Sequence, residues 1–260
     1  MTSAALDMRE VGMVYPTATG DIEALADISF SVAPGEFLAV LGPSGCGKST
    51  LLALASGLEF PTAGHITVSG RPVAGPITDV GIVFQTDVLL DWRRVLGNVL
   101  LQIEMRGRDP ALFRERALGL LRMAGLGGFE AKYPFELSGG MRQRVSICRA
   151  LIHDPPLLLM DEPFGALDAL TREQMVLELH RLWFEARKSV VFVTHDIQEA
   201  VFLADRVLVM TPRPGRIAEI LPIGIAHPRH PTTRETPEFI GMVAHIRKLF
   251  LDTGVLKDNQ

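Results

Sequence analysis

The stretch that decides how this chain reads is "FLAVL" at 37–41, followed by "GPSGCGKST" at 42–50. Five apolar residues run into a glycine-rich turn, and the turn ends in lysine, serine and threonine. The pattern is G-x4-G-K-[ST]. A strand precedes it and a helix-forming segment, "KSTLLALASGL", follows it, which is the context the motif needs. The glycines let successive backbone N–H groups converge on phosphate oxygens without a side-chain clash. The helix start adds partial positive charge at the same point. Lys48 is expected to bridge the β- and γ-phosphates of a nucleoside triphosphate, and the Ser49 hydroxyl to bind Mg2+. Gly42, Pro43, Ser44, Gly45, Cys46, Gly47 and Thr50 complete the expected cradle.

Outward from this loop, strand and helix patterns alternate. "LLLM" (157–160), "SVVFV" (189–193) and "RVLVM" (206–210) are short apolar bursts bounded by charges or turn residues. They read as buried parallel strands. "TREQMVLELHRLWFEAR" (171–187) and "DIQEAVFLA" (196–204) read as the helices between them. The alternation predicts an α/β fold, a parallel sheet with helices on both faces. Before the loop, "EVGMVY" (10–15) and "ALADISFSV" (24–32) predict strands of an N-terminal antiparallel β portion; "HITVSG" (65–70) and "DVGIVF" (79–84) are further strands. From about 88 the pattern turns mostly helical, and a helical subdomain inserted at about 88–155 is expected within a sheet domain spanning 1–225. The remainder, 226–260, is expected to hold one amphipathic helix. Thr236 would cap it with Pro237 first in the helix. Its stripe of Phe239, Met242, Val243, Ile246, Leu249 and Phe250 is expected to pack on the core.

The bulk composition excludes several classes. The chain has 260 residues, 47 % of them apolar, which leaves room for a real core. Its 26 basic and 30 acidic residues give a net charge of −4, with no global signal for nucleic acid. Mean hydropathy is +0.23, yet no apolar run approaches the roughly 18–20 residues that span a bilayer. "MTSAALDMRE" at the start has no basic opening followed by an apolar stretch, so no secretory signal is expected. Two cysteines, Cys46 and Cys148, are too few and too far apart for a disulfide framework or a zinc site. They are expected to be reduced thiols. The position of Cys46 inside the loop implies that alkylating it blocks nucleotide binding.

Four residues at strand ends carry the expected chemistry. Asp161 and Glu162 follow "LLLM"; Asp161 would hold the Mg2+ shell through water and Glu162 would polarise the attacking water. Gln85 follows "DVGIVF" and His195 follows "SVVFVT", which places both at the carboxyl edge of the sheet, where ligands bind in open α/β folds. A second anion-binding helix start then appears in "ELSGGMRQRV" (136–145): Ser138 as N-cap, Gly139 and Gly140 exposing backbone N–H groups. One nucleotide's phosphates are already enclosed by 42–50. A second cradle is useful if it closes over the nucleotide of another copy, giving two equivalent sites in a symmetric pair. Arg142 and Arg144 are then candidates for that interface.

Together these motifs resemble the ATP-binding cassette (ABC) ATPases. "GPSGCGKST" resembles the Walker A loop, "LLLMDE" the Walker B strand with its catalytic glutamate, and "LSGGM" the signature motif, with Met141 where many members carry glutamine. Gln85 matches the Q-loop, which adds it to the Mg2+ ligands; Ala166–Asp168 match the D-loop, His195 the switch histidine, and Tyr15 the aromatic residue that stacks on adenine. The resemblance covers about 8–225. It implies a P-loop NTPase (RecA-like) core, ATP and Mg2+ as ligands, and a second ATPase subunit, here a homodimer. ATP binding glues such a pair together and hydrolysis parts it. "LLDWRRVLGNV" (89–99) and "VLVMTPRPGRI" (207–217) are similar to the nitrate/sulfonate/taurine importer branch, with Asp91 where that branch more often has proline. This implies a peripheral subunit on the cytoplasmic face of the cell membrane, serving two transmembrane permease subunits and an external solute-binding protein, with no nucleic acid partner. Leu89, Leu90 and Trp92 would line the permease groove. The alternative is a soluble cassette ATPase of iron–sulfur assembly or repair. An ordinary P-loop kinase would leave "LSGG" without a role.

Overall fold

The computed structural model describes residues 3–18, 20–165 and 167–255. Chain order gives β1 (Leu6–Tyr15), β2 (Ile22–Val32), β3 (Phe37–Leu41), α1 (Lys48–Ser56), β4 (Ala63–Val68), β5 (Arg71–Pro72) and β6 (Val80–Val83). The helical stretch follows as α2 (Val95–Met105), α3 (Arg114–Met123) and α4 (Gly139–Leu151). Then come β7 (Leu157–Asp161), α5 (Ala169–Ala186), β8 (Ser189–Thr194), α6 (Ile197–Leu203), β9 (Arg206–Met210), β10 (Ile217–Pro222) and α7 (Pro237–Asp252).

The apolar bursts form the centre of a six-stranded sheet, ordered β10-β9-β3-β8-β7-β6. Strands β9, β3, β8, β7 and β6 run parallel, and β10 closes one edge antiparallel to β9. Every residue of β3 and of β8 is buried, because both faces of the sheet are covered. Alternate side chains serve two separate cores. Phe37, Ala39 and Leu41 point to one, Leu38 and Val40 to the other.

Helices lie on both faces, as expected, but the two faces are covered differently. The Phe37 face packs on α4, α5, α6 and α7. Phe37 meets Trp183 edge-on at 5.4 Å and Phe192 at 5.7 Å, pairs that add about 0.5–1.5 kcal/mol each beyond their buried area. Helix α7 places Phe239, Val243, Ile246 and Phe250 in the same core, and Thr236 accepts from the Phe239 N–H at 3.3 Å to start it. The opposite face carries α1 and a second, antiparallel sheet ordered β2-β1-β4-β5. That sheet is not wholly N-terminal. Strands β4 and β5 follow the phosphate loop and α1, and β4 pairs back onto β1, Leu6 opposite Val68.

Helices α2 and α3 build a third apolar cluster with one face of α4: Val99 and Ile103, Leu121, then Val145, Cys148 and Ile152. The other face of α4, Ile147 and Ala150, packs into the sheet core. This helix therefore ties the helical segment to the strands. Among the described residues, no helix is long and apolar enough to cross a membrane.

Candidate nucleotide site

The site forms where four adjacent strands end. In sheet order, β3 delivers the phosphate loop, β8 delivers His195, β7 delivers Asp161 and Glu162, and β6 delivers Gln85. A parallel sheet brings these carboxyl ends to one edge, although the residues lie up to 153 positions apart (42 to 195) in sequence. A cavity of about 500 Å3 opens there. Its floor is Ser44, Gly45, Gly47, Lys48, Ser49 and Thr50; Gln85, Asp161 and Glu162 stand on one side, and Tyr15 on another.

The loop is held in shape by close packing. Gly47 has φ 104°, and a Cβ there would lie 2.6 Å from the Leu25 side chain and 3.0 Å from the Ala24 carbonyl oxygen, so the position requires glycine. Lys48 is 5 % exposed. Its Nζ donates to the carbonyls of Gly42 at 2.9 Å and Pro43 at 3.1 Å. Glu162 Oε1 lies 3.7 Å away. The ammonium is thus aimed between the loop and the strand end that carries the acids.

Burial pushes the Asp161 carboxyl above its ordinary range, against the opposing pull of its side-chain hydrogen bond with Ser49. A desolvated carboxylate beside a hydroxyl is a donor set suited to a hard oxygen-seeking cation. Glu162 takes a left-handed backbone, φ 41°, uncommon for a residue with a side chain and typical of functional sites. Its N–H donates to the Val193 carbonyl at 3.0 Å, and its Oε2 pairs with His195 Nδ1 at 3.0 Å. His195 is the residue between Thr194 and Asp196. The Thr194 hydroxyl donates to Glu199 at 2.6 Å and accepts from the Asp196 N–H at 3.0 Å, fixing the backbone on which the imidazole stands. Gln85 follows Phe84, whose carbonyl accepts from the Gln143 amide at 3.3 Å. Gln143 belongs to α4, so the helix of the second glycine turn touches the segment carrying Gln85.

The remaining expected site residues lie elsewhere. Gly42 and Pro43 support Lys48 from behind the cavity. Ser138, Gly139 and Gly140 open α4, with the Ser138 hydroxyl accepting from the Met141 N–H at 3.3 Å. Asp168 caps α5 by accepting from the Thr171 N–H at 3.0 Å. None of these four lines the chain's own cavity. Of the D-loop residues, Ala166 falls outside the described residues. Arg142 and Arg144, the interface candidates, both have partners within the chain. Arg142 pairs with Asp87 at 2.8 Å and donates to the Leu137 carbonyl; Arg144 donates to the Ala124 carbonyl and lies 3.5 Å from Glu178. Three further residues line the cavity without belonging to any of these motifs: Ile22, Ala24 and Arg213.

Cys46 and Cys148 are both unpaired and buried. Burial pushes the Cys46 thiol up, against the opposing pull of the Lys48 charge, and pushes Cys148 up to about 12. A raised thiol pKa means less thiolate at neutral pH, and the thiolate is the nucleophile. Iodoacetamide is therefore expected to label Cys46 more slowly than a free cysteine at pH 7, faster as pH rises, and at the ordinary rate in urea. Mass spectrometry of timed samples reads this directly; ordinary labelling rates on the folded chain at pH 7 would contradict it.

The comparisons with known proteins agree with this geometry. A family model described as "ABC transporter" matches residues 25–165. The chain is 49 % identical over 214 residues to a taurine import ATP-binding protein TauB of Burkholderia pseudomallei, covering 82 % of each. It is 51 % identical over 198 residues to a TauB of Yersinia pestis, covering 76 % of this chain and 78 % of that one. An uncharacterized ABC transporter ATP-binding protein of Methanocaldococcus jannaschii is 48 % identical over 227 residues, 87 % of this chain and 85 % of that protein. Among solved structures, the dimeric structure of MJ0796, a bacterial ABC transporter cassette, superposes with a TM-score of 0.74 at 33 % identity, covering 85 % of this chain and all of that one.

Proposed function

The chain belongs to the ABC transporter family and is one of its ATP-binding subunits, and we propose that it works as the ATPase of an importer that takes up a small sulfonate of the taurine type. The observation that carries the importer reading is a groove of about 520 Å3 between the sheet domain and the helical segment. Ile82, Phe84, Val88, Leu90, Leu101 and Met105 line it. Phe84, Val88 and Met105 are exposed large apolar side chains; Trp92, also exposed, is not among the residues that line the groove. Apolar surface left open in one contiguous place marks an interaction site, and a permease segment is the proposed occupant. Leu90 lines the groove, whereas Leu89 packs on the helical cluster. The names of the relatives supply the substrate class.

In the proposed cycle, ATP lies in the 500 Å3 cavity with its base against Tyr15 and its phosphates over Gly45–Thr50. Ser49, Asp161 and Gln85 would hold Mg2+, which supplies charge neutralisation at the phosphates. Lys48 adds a buried cation toward the β- and γ-phosphates. Glu162 orients the attacking water and accepts its proton; His195, bonded to the far oxygen of that carboxylate, fixes its rotamer. Ser138, Gly139 and Gly140, outside the chain's own cavity, close over the γ-phosphate held by a second copy, and Asp168 sits at the same face. Hydrolysis parts the pair and moves the permease.

The test is co-expression with a polytopic permease and a solute-binding protein of the taurine type. The subunit is expected to co-purify with the permease, and taurine-loaded binding protein to stimulate hydrolysis in liposomes. Hydrolysis indifferent to the binding protein, with no membrane protein retained, would return the chain to the non-transport cassette ATPases.

A further inference from the structure

Arg213 stands between β9 and β10, far in sequence from every phosphate-binding motif, yet it lines the nucleotide cavity beside Ser44 and Gly45. Its loop is stitched to both walls of that cavity. On one side the Gly215 N–H donates to the Ala24 carbonyl and the Ala26 N–H donates to the Gly215 carbonyl, each at 3.0 Å. This joins the loop to β2, whose Ile22 and Ala24 face the cavity. On the other side Gly215 lies against the phosphate loop: a Cβ there would sit 2.0 Å from the Cys46 carbonyl oxygen, so only glycine allows the approach. The Thr211 hydroxyl accepts from the Arg216 N–H at 3.0 Å and closes the turn.

This scaffold places a permanent cation at the rim of a phosphate site. Arg213 Nε and Nη2 each donate to the Gly45 carbonyl at 3.3 Å. Those two long bonds to one neutral oxygen use little of a guanidinium that has five N–H donors and keeps its charge. No carboxylate pairs with it among the described residues. We propose that Arg213 is a nucleotide-binding residue whose guanidinium contacts the phosphate chain next to Gly45, and that the loop 211–216 exists to position it. The inference rests on the nucleotide reading of the cavity and adds a charged contact from the far end of the domain.

Equilibrium binding of ADP and of adenosine to the wild-type chain, Arg213→Ala and Arg213→Lys tests it. Loss of one charge-assisted contact is expected to weaken ADP binding by about tenfold in Arg213→Ala. Adenosine, which has no phosphate, should bind all three within twofold. Arg213→Lys should recover part of the ADP affinity, since it keeps the charge and loses the fork. The nucleotide-free variants should melt with the wild type, because the side chain is exposed. ADP affinity unchanged within twofold in Arg213→Ala, an adenosine loss equal to the ADP loss, or a lysine variant no better than alanine would each overturn the proposal. A wild-type chain that binds no ADP would instead remove the nucleotide reading beneath it.

Discussion

Glu162→Gln is expected to cut ATP hydrolysis by at least about a hundredfold, the usual contribution of a general base, while ATP binding survives and an ATP-bound dimer accumulates. The geometry separates the two effects. The Glu162 backbone is pinned by its N–H to the Val193 carbonyl, and its side chain by His195. Glutamine has the same shape, so it keeps the position and can still hydrogen-bond to the imidazole. What it loses is the negative charge and the basicity that draw a proton from water. None of the groups expected to grip the phosphates depends on that charge: Lys48 retains the Gly42 and Pro43 carbonyls as partners. Removing a carboxylate beside the γ-phosphate position also relieves like-charge repulsion, so ATP affinity should hold or rise. Single-turnover kinetics reads the first effect and size-exclusion chromatography with ATP reads the second. A variant that stays monomeric with saturating ATP would contradict the two-chain sandwich, and wild-type turnover would take the general-base role away from Glu162.

Most of the site at the sheet edge was legible because each residue follows an apolar strand burst directly. A strand end is a local feature, and in a parallel sheet local features at carboxyl ends meet in space. Gln85, Asp161, Glu162 and His195 were placed that way, and so was the loop at 42–50. Arg213 was not legible, for a physical reason. What puts it in the cavity is the contact of Gly215 with Ala24, Ala26 and Cys46, and nothing in "TPRPG" states that it folds back onto a segment 189 residues earlier (215 − 26). The same limit applies to the antiparallel sheet. The strand patterns of β1 and β4 were visible, but their pairing across the phosphate loop and α1 was not. The intrachain partners of Arg142 and Arg144 were equally out of sight, because a sequence shows charge without its partner. Asp87 and Glu178, 55 and 34 positions away, bind those charges within the chain.

The glycine turn at 138–140 gives the sharpest test of the dimer. Ser138→Arg is expected to lower hydrolysis by on the order of a hundredfold, as loss of a preorganised donor to a reacting phosphate does, and to leave nucleotide binding by the isolated chain within about threefold of wild type. The separation follows from position. The structure seats Ser138 at the start of α4, outside the cavity that holds Lys48 and Tyr15. Within its own chain the hydroxyl has one duty, capping the Met141 N–H. Replacing such a cap costs about 1 kcal/mol, against a total stability on the order of 5–15 kcal/mol, so the variant should fold. The turn around it cannot swing aside to admit the larger side chain. Gly140 is wedged so closely that a Cβ would lie 2.6 Å from the Thr171 methyl, and Thr171 is in turn tied to Asp168. An arginine at 138 must therefore project outward, into the space that a second copy's γ-phosphate would occupy, and hold the two faces apart. Binding of ADP to dilute monomer should not register this, while steady-state ATPase activity and ATP-dependent dimerisation should both fall. If ADP binding and hydrolysis decline together by the same factor, the turn serves the nucleotide of its own chain and the two-chain site is wrong.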